Sequence, residues 1–193
     1  MSDQPFEIIF EAVECGTIQE VKRYIKNSTD FSTINGRYEH HLYHYSPTLL
    51  HLAARNPSVE VLQYLVSQGA DVNAKNNKGD TPLHCAAIYN PSVEVLQYLV
   101  SQGADVNAKN KYGGTPLYNA ASNHNDAILK YLVSQGADAG SGFWSQMLCN
   151  AIESKHNVDV LKYLISRGAD VNEKDCFGKT SLHYAAWNSS WKL

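Results

Sequence analysis

Residues 56–76 read NPSVEVLQYLVSQGADVNAKN, and residues 90–110 spell the same 21 letters at an offset of 34. A single closed core gives a chain no reason to copy itself letter for letter. Self-similarity at a fixed period of this size points to stacked supersecondary units, each burying its apolar face against the next.

Within the block, Val59, Leu62, Leu65 and Val66 fall at i, i+3, i+6 and i+7, one face of an amphipathic helix. Asn56 and Pro57 precede it as cap and first-turn residue, and Gly69 closes it where a positive φ is wanted. Between the two copies lies Thr81-Pro82-Leu83-His84-Cys85-Ala86-Ala87, which predicts a shorter helix with Pro82 in its first turn. The expected unit is short helix, tight turn, longer helix and a loop carrying Gly-Ala-Asp-Val-Asn.

Thr-Pro-Leu-His followed by two alanines, then Gly-Ala-Asp-Val-Asn-Ala-Lys, at a period near 33, resembles the ankyrin repeat. The resemblance implies an all-α solenoid of about five and a half repeats, a curved stack with loop fingers along one edge. Leu50, Leu83, Leu117, Leu148 and Leu182 share one position, at spacings of 33, 34, 31 and 34. Gly69, Gly103, Gly136 and Gly168 mark the ends of the second helices.

These markers divide residues 1–193 into one array: a capping-like repeat at 5–26, an insertion at 27–47, and repeats at 48–80, 81–114, 115–145 and 146–179, with a partial repeat at 180–193. In the first repeat Ile9, Ala12 and Val13 belong to helix one, and Ile18, Val21, Tyr24 and Ile25 to helix two.

The period is broken in three places. Ile25 to Thr48 spans 23 residues against 15 from Val66 to Thr81, and the surplus includes the aromatic, His-rich run from Arg37 to Tyr45. After Asp138, Ala139-Gly140-Ser141-Gly142-Phe143-Trp144 replaces Val-Asn-Ala-Lys in a shortened loop, and Gln146-Met147 replaces Thr-Pro. Thr180 to Ala186 then opens a further repeat that stops at Leu193, which fits a fragment of a longer array or a surface covered by a partner.

Several clusters invite a chemical reading. His51, His84 and His183 recur in phase, with Tyr118 and Cys149 in their place elsewhere. Stacked helices sit about 10 Å apart, too far to share one metal ion bound at about 2 Å. The resemblance gives these histidines a structural role, tying neighbouring repeats together by hydrogen bonds. His40, His41 and His44 lack the further ligands of a tetrahedral site. Gly136, Gly140 and Gly142 follow a helix rather than a buried strand, so they do not form a phosphate loop. Asp71, Asp105, Asp138 and Asp170 are copies of the loop motif. With no nucleophile elbow and no His-Glu-x-x-His, the chain reads as a non-enzyme with no metal and no cofactor.

The net charge of -3 and scattered lysines and arginines give no field for nucleic acid. No apolar run is long enough to span a membrane. Cys15, Cys85, Cys149 and Cys176 stand far apart, which suits free thiols in the cytoplasm, or the host cytosol for an effector. The sequons at Asn27 and Asn188 are then chance matches.

What remains is recognition of a protein partner. Positions that keep the repeat motif hold the stack, and those that vary are free to read a partner. The candidate partner-binding residues are Asn77, Lys78, Asp80, Ile88, Tyr89, Lys111, Tyr112, Ser122, Asn123, Phe143, Trp144, Phe177, Lys179 and Trp187. The aromatics among them are expected to line one concave side, with Trp144 open between partner contact and filling the altered fourth loop. The expected function is a non-catalytic binding module, as an adaptor, effector or inhibitor. The rival readings are an N-terminal targeting array of a larger enzyme and a scaffold self-associating through Trp187 and Trp191.

Overall fold

The computed structural model describes residues 12–13, 18–27, 32–37, 46–140 and 143–187. Among these the chain is all-helical, with no strand and no helix long and apolar enough to cross a membrane. Ile9, His40, His41, His44 and Trp191 lie outside the described residues.

Helices α1 (Ile18–Asn27) and α2 (Ser32–Asn35) are followed by pairs of a first and a second helix. The pairs are α3 (Leu49–Ala53) with α4 (Val59–Ser67), α5 (Pro82–Tyr89) with α6 (Val93–Ser101), α7 (Pro116–Ala120) with α8 (Asp126–Ser134), and α9 (Trp144–Glu153) with α10 (Val158–Ser166). A last first-helix, α11 (Ser181–Trp187), follows.

Second helices form one continuous layer, α1 against α4, then α6, α8 and α10 in turn. First helices form the other, with α5 packed between α3 and α7, and α11 on α9. Between the layers lie Leu50, Leu62, Leu65, Leu83, Leu96, Leu99, Leu117, Leu129 and Leu132, all fully buried. In the first repeat Ala12, Val13, Val21 and Ile25 are likewise buried. Leu182 is 74% exposed, unlike its four buried equivalents.

The motif residues start and stop these helices by local bonding. Thr81, extended at φ -96°, caps α5; its N–H donates to His84 Nδ1 at 3.1 Å, and its hydroxyl lies 2.9 Å from the same nitrogen. Thr48 and His51 do the same at α3. Gly69, at φ +91°, reverses the chain after α4 in a conformation that favours glycine.

The caps of the second helices differ from expectation. α4 begins at Val59, so the cap position falls to Ser58, while Asn56 accepts a bond from the Ser58 N–H at 2.8 Å and Pro57 precedes the helix. In the duplicate, Ser92 accepts from the Glu94 N–H. The buried face of α4 is centred on Val61, Leu62 and Leu65, leaving Val59 and Val66 half-buried.

Two asparagine ladders bind repeat to repeat. At the turns, Asn90 Nδ2 donates to the Ala54 and Asn56 carbonyls, both at 2.8 Å, and Asn123 Nδ2 donates to those of Ala87 and Asn90, both at 3.0 Å. In the loops, Asn73 Nδ2 donates to the Gly103 carbonyl and its Oδ1 accepts the Asp105 N–H. Asn107 repeats this with Gly136 and Asp138. Asn35, within the stretch read as an insertion, makes the same pair with Gly69 and Asp71. The first loop therefore contains a normal rung at Asn35, with 13 residues from there to Thr48 against 8 from Asn73 to Thr81.

The loop ladder ends where the fourth loop shortens. Gly140 stands where Asn73 and Asn107 do and has no side-chain amide to offer, and the Asp170 N–H is accepted by Ser145 Oγ at 2.9 Å instead. Without a Thr-Pro start, α9 begins upstream of Gln146-Met147, at Trp144, with no side-chain cap from Phe143.

Candidate partner-binding surface

Three loop fingers are built alike. Asn76 Oδ1 accepts the N–H groups of Lys78 and Asp80, Asn110 Oδ1 those of Tyr112 and Gly114, and Asp175 Oδ1 those of Phe177 and Lys179. In each, the next-to-last residue of the turn is a left-handed glycine, Gly79, Gly113 or Gly178. One side-chain oxygen thus closes each tip as an Asx turn. The residue two places after it projects outward: Lys78, Tyr112 and Phe177, the latter two 74% and 79% exposed.

Neighbouring fingers brace one another. The Lys111 N–H donates to the Lys78 carbonyl at 2.9 Å, and Asn110 Nδ2 to Asp80 Oδ1 at 2.8 Å. Gly79 permits this approach, since a Cβ there would lie 2.9 Å from the Lys111 nitrogen. The histidines tie fingers to helices: His51 Nε2 lies 2.8 Å from the Asp80 carbonyl and His84 Nε2 3.1 Å from that of Gly114. Burial pulls the His51 pKa down to about 4 and lowers that of His84. A neutral ring accepts from threonine at Nδ1 and donates from Nε2, as this geometry needs.

At the opposite end of the first helices, the turns of two repeats enclose a groove of about 570 Å³ lined by Ile88, Tyr89, Pro91, Ser122 and His124. Tyr89 is 57% exposed and carries the Arg55 guanidinium 4.7 Å from its ring centroid.

The candidate residues do not form one continuous row. Tyr89 ends α5 whereas the fingers precede the first helices, so the groove and the tips stand about 12 Å apart, the length of an eight-residue helix. Asn77, Lys78, Lys111, Tyr112, Phe177 and Lys179 are exposed on the fingers, and Ile88, Tyr89 and Ser122 line the groove. Trp187 is exposed at the end of α11, with Lys179 Nζ 5.6 Å from its ring centroid.

Four candidates are engaged inside the protein. Asn123 is buried at 7% exposure, its amide spent on the turn ladder. Asp80 braces the next finger through its carboxylate. Trp144 packs edge-on against Tyr163 of the second-helix layer, with Arg167 over its ring, because α9 starts early and turns it that way. Phe143 packs against Tyr118, centroids 5.2 Å apart, and covers Gly113.

Sequence reasoning missed a second cavity, of about 400 Å³, lined by Tyr118, Phe143, Ser145, Gln146, Cys149 and the 173–176 segment. It lies between α7 and α9, where the fourth loop is short. The signal was available: Tyr118 and Cys149 replace the bridging histidine in the two repeats flanking that loop.

Burial pushes the Cys85 thiol up to about 12 and raises that of Cys149. Among the described residues no three His, Cys, Asp or Glu side chains are grouped to hold a metal.

The family profile described as ankyrin repeats (3 copies) matches residues 9–110, 50–143 and 117–192. A putative ankyrin repeat protein of fowlpox virus is 50% identical over 40 residues, covering 21% of this chain and 9% of the relative. The mouse RelA-associated inhibitor is 30% identical over 83 residues, covering 43% of this chain and 9% of the relative. The chain thus spans about a tenth of the length of these relatives. The Thr-His caps, the asparagine rungs and the glycine-closed fingers recur at spacings of 33 or 34 residues from Thr48 to Thr81, Asn73 to Asn107 and Gly79 to Gly113, within the matched stretch. The chain belongs to the ankyrin-repeat family.

Proposed function

We propose that this chain is a non-catalytic module that binds a partner protein through its fingertips and turn groove. Ankyrin repeats imply protein–protein interaction. The observation that carries the finer reading is the contrast at the tips. The same Asx scaffold and glycine recur, yet the exposed tip residues differ, with Lys78, Tyr112 and Phe177 at the slot two places after the bracing side chain. A fixed frame with a variable, partly aromatic display suits recognition, because aromatics cover large areas with few rotors to freeze. The name of the mouse relative, an inhibitor, favours a role that occludes a partner's surface. Free thiols at Cys85, Cys149 and Cys176 support a reducing, cytoplasmic location.

The test is capture of partners from an extract of the source cells, by the wild-type chain and by a Tyr89→Ala, Tyr112→Ala, Phe177→Ala variant. The variant is expected to keep the wild-type melting temperature, because all three side chains are exposed, and to lose the partner. A folded variant that keeps every partner removes this surface as the binding face.

A further inference from the structure

We propose that the opening between α7 and α9 is the seat of an arginine side chain of the partner protein. This rests on the protein-binding reading above and adds to it a pocket of defined chemistry.

Three departures from the repeat meet at this opening. The fourth loop is short, Tyr118 and Cys149 stand where His51 and His84 bridge to the next finger, and α9 begins early at Trp144. First helices α3, α5 and α7 pack on one another, as do α9 and α11, but α7 and α9 do not pack closely. The second-helix layer stays continuous there, with α8 against α10, His156 Nδ1 2.5 Å from Asp126 Oδ1 and His124 Nδ1 3.0 Å from the Ser154 carbonyl. The stack is therefore held at its second helices and open at its first, leaving the cavity of about 400 Å³. That volume is in the range of ligand pockets, which run from about 300 to 1,000 Å³.

One wall is aromatic: Tyr118 and Phe143 meet edge to face, their ring planes at 67°. Glu173 and Asp175 line the same opening. Asp175 accepts from the Phe177 and Lys179 N–H groups and from the Tyr184 hydroxyl, at 2.6 Å. The Tyr184 bond above all holds its carboxyl below the usual range, so it stays ionised. Glu173 makes no side-chain bond with a described residue, and Lys174 also lines the opening. At the buried Cys149 thiol the charges that act are those of Asp175 and Glu173, both negative. A planar cation complements an aromatic wall beside carboxylates, and guanidinium can lie flat on a ring while its fork of N–H groups meets a carboxylate, a pairing the compact lysine ammonium lacks.

Cys176 is exposed and lines the same cavity, while Cys85 and Cys149 are buried, so a probe can be tethered at Cys176 alone. In a Cys15→Ser background, the full chain is equilibrated with the symmetric disulfide of the mercaptoethyl amide of N-acetyl-arginine or of N-acetyl-citrulline, its uncharged isostere; the Cys176 thiolate attacks that disulfide, forming the mixed disulfide and expelling one probe thiolate. Excess 2-mercaptoethanol sets the competition, and intact-mass spectrometry reads the adducts.

The expected result is an arginine adduct favoured over citrulline by about fivefold or more, as a cation–π contact beside a carboxylate supplies. That preference should fall towards unity in Glu173→Gln, Asp175→Asn. The finger survives Asp175→Asn because Asn76 and Asn110 brace the other tips with the same oxygen. Equal occupancy in the parent, or a preference unchanged in the double variant, overturns the proposal. The adduct ratio does not depend on Tyr89, Tyr112 or Phe177, so failure here leaves the tip surface standing, and failure of partner capture leaves this ratio unaltered.

Discussion

Replacing Asn123 by alanine separates a structural residue from a recognition residue at a position where sequence variation alone suggested recognition. Its Nδ2 donates to the Ala87 and Asn90 carbonyls, both at 3.0 Å, and its Oδ1 accepts the Asn125 N–H at 3.0 Å. Truncation deletes three bonds and leaves two carbonyls without their donor. At roughly 1 kcal/mol for each neutral bond, and more where a buried partner is left unsatisfied, the loss is about 3 kcal/mol. With a urea slope of about 1–3 kcal/mol/M, the unfolding midpoint should fall by at least about 1 M. Circular dichroism followed through urea measures it directly, with Ser122→Ala, half-buried beside it, as the comparison. Ser122→Ala should stay within about 0.5 kcal/mol of the parent. An Asn123→Ala midpoint equal to the parent's would refute the ladder as a source of stability and return Asn123 to the binding surface.

The remaining predictions concern the same braces. His51 holds its neutral form down to a pKa of about 4, whereas the unfolded imidazole takes a proton near 6.5. Between those values the unfolded chain binds the extra proton, so stability is full above pH 6.5 and falls by about 3 kcal/mol as pH drops to 4. His84, shifted the same way, adds to the fall; urea midpoints that stay flat from pH 7.5 to 4 would contradict it. Gly79→Ala should open the finger contact, because its Cβ meets the Lys111 nitrogen at 2.9 Å and φ is +79°. Hydrogen exchange at the Lys111 amide should quicken, while Gly69→Ala, with nothing within 4 Å, should cost only the backbone strain of about 1 kcal/mol. Ser145→Ala strips the Asp170 N–H of its acceptor and should cost about 1–2 kcal/mol in thermal unfolding; no change would mean that the fifth repeat needs no substitute rung.

The fold was legible because its causes are local and repeated. Thr81 and His84 cap a helix within one turn, and Gly69 ends the next, so four letters and one glycine mark each unit wherever they recur. Asn123 looks variable in the sequence although Asn56 and Asn90 precede it in phase, because its own neighbours, His124 and Asn125, differ from Pro-Ser in the other copies. A position can look variable while its one indispensable atom is kept. Trp144 was open to either reading until the early start of α9 turned it towards Tyr163. The cavity was hardest to foresee, because it is made of omissions. A shortened loop, Cys149 in place of a histidine and Glu173 in place of an alanine are distant in sequence, and only the stack brings them to one place. The split of the aromatics between groove and fingertips likewise depends on which end of a first helix each residue occupies.

On the proposed function, architecture and recognition occupy separate atoms, and an exchange of fingertips tests this most directly. Lys78→Phe with Phe177→Lys keeps composition and both Asx scaffolds while reordering the display. Measured by titration with a partner captured by the wild-type chain, the exchange should leave the helical circular dichroism spectrum intact and weaken binding at least tenfold, about 1.4 kcal/mol. Unchanged affinity in a folded exchange variant would contradict the claim that these tips read the partner.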